Sequence, residues 1–443
     1  MSHPVATGVS GAGWVLPTLA GRRARYGVFF ATYLYQGLIA GFSLTALANH
    51  LAVQGRSAAE IGVDFALAGL PWTLQPVLWG PLVDRAGDFR MGRRRPFAVA
   101  AILGCHATLA LLPLVDAGRV GALGLIFLAH SLFAVLLDTA CDRMIMDHVP
   151  ATELGRVSAC TRAGFVAGTS LSAAIFGWLL SVSSVAVSAR WLLAAAILAS
   201  LPMLLVREAP ADALVALARR GPPPRRPPLR RFLLRLIAAL RRPRALRLLA
   251  LCFALDGALG LFELPFSVDL LQHQGWDPAD LSRLQAILAL ASGTAGALAI
   301  GHWSDRAGPV RPLRALLIAS AGTFVAAGAM IGLGLSGPAA PVILALTTVL
   351  PGLLIVALMP ALLLASRGRA GAATQFEVYM AAMNLGSVAG TAFAGWLAPV
   401  LPLHAVAGLV AAVFLAAFRM AGRDDLLGAR VDGTGDAGLR PTP

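Results

Sequence analysis

Twelve apolar stretches, each close to the roughly 20 residues that cross about 30 Å of hydrocarbon, partition this chain almost completely. They run over 27–50, 61–83, 96–116, 121–146, 155–181 and 188–206, and then, past a polar interval, over 245–270, 279–300, 312–335, 341–365, 372–397 and 403–420. A water-soluble domain would need about twice the 13% of charged residues found here, and no long polar stretch remains to form one. The expected fold class is therefore an all-α integral membrane protein with twelve transmembrane helices. The first stretch follows Arg22, Arg23 and Arg25 and lacks a small-residue cleavage pattern, so it reads as a retained helix and not a signal peptide. The four cysteines, Cys105, Cys141, Cys160 and Cys252, all fall in apolar runs without a CxxC pair, which argues against a disulfide framework or a zinc site.

Charge supplies a second, independent pattern. All 36 residues of the Lys/Arg class are arginine. Thirty-two of them belong to the tails, the loops after the even-numbered spans and the adjoining helix ends; Arg56, Arg119, Arg190 and Arg283 alone fall after odd-numbered spans. Positive loops stay in the cytoplasm, so both termini are expected there, in a bacterial-type inner (plasma) membrane. The net charge of +14 invites a nucleic-acid reading, but a nucleic-acid face would not alternate through twelve crossings.

The boundaries follow: a cytoplasmic tail 1–25, a six-helix bundle 26–206, a basic linker 207–244, a second bundle 245–420 and a cytoplasmic tail 421–443. From Arg207 to Arg247 there are twelve arginines against Glu208 and Asp212, with Gly-Pro-Pro-Pro at 221–224. That composition disfavours a packed core. Its segment 229–240 has the pattern of a basic amphipathic helix suited to anionic headgroups, the plainer alternative being a solvated connection.

The two bundles echo each other. Gly80-Pro-Leu-Val-Asp84-Arg85-Ala-Gly recurs 221 residues later as Gly301-His-Trp-Ser-Asp305-Arg306-Ala-Gly. Gly164-Phe-Val-Ala-Gly168-Thr recurs 222 residues later as Gly386-Ser-Val-Ala-Gly390-Thr, and its small-xxx-small spacing fits close backbone packing. Two parallel six-helix pseudo-repeats, with a solute site between them, are implied.

The Gly-x-x-x-Asp-Arg-x-Gly pattern resembles the major facilitator superfamily, over nearly the whole chain. The resemblance implies a secondary transporter working by alternating access. It also implies that Asp84, Arg85, Arg93, Arg94 and Arg95, with Asp305 and Arg306, clasp neighbouring helices on the cytoplasmic face and lock the outward-facing state; generic arginine anchoring is the alternative. Three further segments resemble the branch that holds muropeptide permeases, acetyl-coenzyme A transporters and some siderophore importers. They are Trp79-Gly-Pro-Leu-Val-Asp84-Arg85 with Gly92-Arg-Arg-Arg95, Asp138-x-x-x-Asp142-x-x-x-x-Asp147-His-Val-Pro150 with Glu153 and Arg156, and Ala373-Thr-Gln-Phe376. The branch's lysine in the second span is Pro76 here, beside Gln75, and Glu377 follows where the branch is uncharged. Gly92–Phe97 also resembles the glycoside and sucrose symporters.

Function is sought where an expensive side chain is tolerated, since a charge at mid-bilayer costs about 2.5–3.5 kcal/mol on insertion scales. Asp138 and Asp142 stand one helical turn apart, about 40° around the axis, and share a face. Two such carboxylates suit proton coupling. The alternative places Asp142 and Asp147 at a cytoplasmic helix end, pairing with loop arginines. Asp256 and Glu263 share a face of the seventh span, and the family's habit of lining its cavity with spans 1, 4, 7 and 10 would set them opposite. Tyr33 and Gln36 offer neutral hydrogen bonds. Gln375 and Glu377 open the eleventh span, as gate or as interface. His106 and His130 read as packing residues, and Pro351 and Pro360 as bends of the tenth span.

The expected activity is proton-coupled uptake of a small organic solute, muropeptide- or aminosugar-like or siderophore-like. A facilitator, a sugar symporter, a drug-efflux antiporter and a non-transporting scaffold are the alternatives. The expected partners are solute, protons and lipid bilayer, with the protein a monomer. No cofactor and no metal are expected; no metal-ligand cluster, phosphate loop or Ser-His arrangement marks an enzyme.

Overall fold

The computed structural model describes residues 16–54, 58–85, 87–115, 120–221, 228–368, 371–397 and 400–422. Most of both tails, Arg56, Arg119 and the prolines at 222–224 lie outside the described residues. Among those described, the chain is helical, with isolated bridges but no strand.

We number the long helices α1 to α12. They are α1 (Arg22–Gly41, prolonged by Phe42–Leu47 and Ala48–Val53), α2 (Ala58–Leu78, with a short helix Gly80–Asp84 after it), α3 (Arg95–Leu109), α4 (Val120–His148), α5 (Leu154–Val182) and α6 (Val185–Leu205). The second half holds α7 (Pro243–Gln272), α8 (Pro278–Ala291, prolonged by Ser292–Gly296 and Ala297–Ala307), α9 (Val310–Gly332), α10 (Ser336–Ser366), α11 (Ala372–Leu397) and α12 (Leu403–Ala421). Among the described residues, ten helices are long and apolar enough to cross a membrane. The other two, α2 and α11, carry Gln75, Gln375 and Glu377 into the interior. Segments Phe42–Leu47 and Ser292–Gly296 are wound as π-helix, a local widening common near functional sites.

Glycine decides which helices touch most closely. A Cβ at Gly168 of α5 would lie 2.3 Å from the Leu34 carbonyl oxygen of α1, and one at Gly390 of α11 would lie 2.1 Å from that of Gly257 on α7. These are equivalent glycines in the two copies of the second repeat, and they serve the same crossing in each half. Aromatic contacts fill the second half, with Phe262 of α7 edge-on to Phe324 of α9, which stacks on Phe414 of α12.

One end of the bundle gathers the arginines. The first part of the basic linker is tied down there: Arg207 exchanges backbone hydrogen bonds with Pro17 and Leu19, and Ala213, Ala218 and Arg220 bond to Asp88 and Arg90 in the α2–α3 loop. The amphipathic pattern of 229–240 does form a helix, Leu229–Leu240, which we name the linker helix. Its Phe232 is buried under the Arg85 guanidinium, 5.7 Å from the ring centre, and its tip would meet a Cβ at Gly371 just before α11. Leu229, Leu233, Leu234 and Ile237 remain exposed. The described residues of the connection up to Arg220 are thus bonded to the loop between α2 and α3.

Candidate functional site

The repeated motif explains itself at this end. Gly80 lies against α11 so tightly that an added Cβ would fall 2.7 Å from the Thr374 Cα. One turn on, the buried Asp84 carboxylate accepts the backbone N–H groups of Ala373 (3.0 Å) and Thr374 (2.8 Å) and the Thr374 hydroxyl (2.7 Å). An aspartate of the first half therefore caps the first turn of a helix of the second, where free N–H groups and the helix dipole favour an anion. Asp305 repeats the arrangement in reverse, accepting from the N–H groups of Gly155 (2.7 Å) and Arg156 (3.1 Å) at the start of α5 and pairing with the Arg156 side chain. Gly301 and Gly155 approach so closely that a Cβ on either would sit 2.4 Å from the other's carbonyl oxygen.

The arginines of the motif divide their work. Arg143 of α4 pairs with Asp84 and Asp147, each at 3.1 Å, and Asp147 pairs with Arg94 at 3.2 Å. Arg94 and Arg95 are buried and hold carbonyls, Arg94 that of Val83, Arg95 those of Leu204 and, in the linker, Leu214. Arg93 reaches Asp88 at the surface, and Arg306 is exposed. Glu208 of the linker sits in the turn that starts α3, accepting the backbone N–H groups of Arg93 (2.8 Å), Arg94 (2.6 Å) and Arg95. Burial pushes the Glu208 carboxyl up, but the His148 ring and those three N–H groups outweigh it and hold it below the usual range.

Deeper in, a cavity of about 430 Å³ opens between the halves, walled by α1, α2, α4 and α5 on one side and α10 and α11 on the other. Trp72, Phe127, Phe165, Ile355, Met359 and Met380 make its walls mainly apolar. Tyr33, Gln36, Asp138 and Asp142 line it. The Tyr33 hydroxyl donates to Asp142 (2.8 Å), Gln36 to Asp138 (3.4 Å), and Gln75 to Asp138 (3.2 Å) and Thr139 (3.1 Å). Glu377 enters from α11. Carboxylate oxygens of Asp138, Asp142 and Glu377 lie within 4.8 Å of one another, with Glu377 fully buried and both its oxygens without a hydrogen-bond partner. Gln375, beside it, donates to the Tyr379 hydroxyl at 2.7 Å.

Of the residues the sequence marks, Tyr33, Gln36, Asp138 and Asp142 line the cavity, Gln75 bonds to Asp138 and Glu377 lies beside the two aspartates, while Gln375 and Asp84 are buried but are not among the lining residues. Asp256 and Glu263 are not part of this wall; Asp256 is half-buried on α7 and Glu263 is exposed. His130 does pack, its ring 3.1 Å from the Thr108 hydroxyl, while its edge reaches the cavity. The residue that sequence reasoning misses is Arg162. Eight residues inside α5 it lines the cavity, where it had been grouped with the arginines of helix ends. The available signal was its place within an apolar run, flanked by Ser158, Thr161 and Phe165 at helical spacing.

A helical membrane protein with a buried, partly charged cavity between two halves that cap one another's helices belongs to the class of secondary transporters. The sequence model of the Major Facilitator Superfamily matches residues 26–376, and the chain belongs to that family. It is an alternating-access transporter and not an enzyme. No curated protein matches it. Among solved structures it is similar to the human organic anion transporter MFSD10 (TETRAN), with 17% identity, 90% of this chain and 99% of that one covered, and a TM-score of 0.66. It is also similar to the E. coli fucose:proton symporter FucP, with 13% identity, coverage of 90% and 97%, and a TM-score of 0.65. A bacterial homologue of the iron transporter ferroportin, in its outward-facing state, gives 15% identity, the same two coverages and a TM-score of 0.58. At these identities the likeness is one of fold.

Proposed function

We propose that the chain carries out proton-coupled uptake of a small organic solute across a bacterial-type inner membrane. In this reading all twelve helices cross, as two six-helix repeats, with both termini and the arginine-rich end in the cytoplasm. The solute class is the one the sequence resemblance implies, aminosugar- or muropeptide-like or siderophore-like. One observation carries the coupling: the carboxylates of Asp138 and Asp142 on α4 and Glu377 on α11 lie within 4.8 Å of one another, across the meeting of the two halves.

Three carboxylates this close, two in reach of neutral donors and one without any, cannot all be ionised in a medium of low dielectric. Closure at the arginine-rich end therefore demands protons, which reach the pocket through the cavity above. When that end opens, α11 withdraws from α4, each carboxylate regains water, and protons leave on the cytoplasmic side. Asp84 and Asp305 hold the closed arrangement by capping helices of the opposite half. A solute in the cavity contacts both halves and moves with the switch. That FucP, on the same fold, is a fucose:proton symporter agrees with this chemistry.

The test is transport by the reconstituted protein. A thermal-shift screen over aminosugar peptides, hydroxamate siderophores and disaccharides selects the solute. An inward pH gradient should then drive its accumulation together with protons followed by an internal pH dye. Glu377→Gln, Asp138→Asn and Asp142→Asn should abolish gradient-driven accumulation while leaving solute counterflow. If all three variants still accumulate solute against its gradient, the pocket is not the coupling device. Wild-type counterflow indifferent to pH would point instead to a facilitator.

A further inference from the structure

Arg162 is the feature that the proton pocket leaves unexplained. It stands on the cavity-facing side of α5 with Ser158, Thr161 and Phe165. Its Nε is buried without a hydrogen-bond partner, and among the described residues no carboxylate lies within the 4.0 Å of an ion pair. Asp256 on α7 acts on it electrostatically, from beyond that distance. Arginine keeps its charge in any protein environment, so it cannot escape the cost of burial by losing a proton. Arg162 is half-buried, and a charge partly withdrawn from water with a buried, unfilled Nε donor is retained where something else fills that donor.

The rest of the wall narrows what that is. Trp72, Phe165, Ile355, Met359 and Met380 offer apolar surface to the body of a bound molecule, and Ser158 and Thr161 stand one turn or less from Arg162 on the same face. We propose that Arg162 is the anchor for a carboxylate of the transported solute, whose remaining body lies against that wall and is small enough for a cavity of about 430 Å³. The guanidinium offers a planar fork that matches a carboxylate in two parallel bonds. The solute is thus an organic acid taken up as its anion. This rests on the reading of the cavity as the transport site, and it deepens that reading by assigning the charge of the cargo.

The experiment is calorimetric titration of the purified full-length protein at constant pH, with no gradient. The probes are matched pairs, each an aryl- or alkyl-carboxylic acid and its methyl ester, graded in size up to the cavity volume. At least one acid should bind about 10- to 100-fold more tightly than its ester, the worth of a buried charge-assisted pair. Arg162→Gln should bring acid and ester within about threefold of each other, and Arg162→Lys should keep part of the preference, since charge remains but the fork is lost. Ester binding and an unchanged melting temperature report that each variant is folded. The proposal is overturned if no acid outbinds its ester in the wild type, if matched amines bind better than acids, or if Arg162→Gln or Arg162→Lys keeps the full preference. Because no proton gradient is used, failure here leaves the coupling pocket standing, and failure of coupling leaves anion binding intact.

Discussion

Asp84 and Asp305 hold equivalent places in the repeat but carry unequal burdens. Asp84 accepts from two backbone N–H groups, a hydroxyl and Arg143, whereas Asp305 accepts from two N–H groups and Arg156. Asp84→Ala leaves the partly buried Arg143 and the start of α11 undersatisfied, which should cost about 2–4 kcal/mol. Labelling by maleimide of cysteines placed at the arginine-rich end should rise more for Asp84→Ala than for Asp305→Ala. Glu208 gives a pH signature. Its carboxyl is held below the ordinary value of about 4.3, so its contribution is complete above that value and fades as pH falls through the lower folded one. Melting temperatures of wild type and Glu208→Gln in detergent should differ at pH 7, by an amount equivalent to about 1.5–3 kcal/mol, and converge as pH falls through the lowered folded value. At this scale the sequence was legible where a carboxylate interrupted an apolar run, as at Asp138. It was opaque for Arg162, because sidedness counting absorbs any arginine near a helix end, and for Glu208, whose partners are peptide groups that no side-chain pattern reveals.

Helices carry the motif as a geometric unit: a glycine for approach, then an aspartate one turn on. Gly301→Val should therefore push α8 from α5, since even a Cβ would stand 2.4 Å from the Gly155 carbonyl oxygen. The outcome to measure is a longer spin-label distance between the halves at the arginine-rich end. The linker helix bears on the same junction through Phe232 and Gly371. Phe232→Ala should loosen it, seen as faster hydrogen exchange over 229–240. The small-xxx-small spacing of the second repeat foretold the close crossings at Gly168 and Gly390, because close packing demands small residues in any context. The seventh span was harder to place. Its acids share a face, yet a shared face does not say which neighbour it meets, and the described cavity is walled by α5, α10 and α11 instead.

Across the whole molecule, the halves meet through capped helices and glycine crossings at one end and stand apart around a cavity above. The covalent connection is then dispensable for closure. A protease site inserted after Gly221, whose positive φ of 79° marks a turn with open space around it, should leave the cleaved halves co-purifying and transport-competent. Separation of the fragments in mild detergent would show that the linker, and not the interface, holds them. Hydropathy foretold the membrane-spanning scaffold; the meeting of α4 and α11 carboxylates across it depends on tertiary placement that one-dimensional periodicity does not encode. The capping aspartates have one more consequence. Much of what each grasps across the interface is peptide N–H, a group that every helix start presents whatever its side chains. A half-transporter so held recognises its complement by shape and polarity more than by residue identity, so this first half should pair with second halves from distant relatives. Recombination between such proteins can then exchange cargo specificity while the closing contact survives.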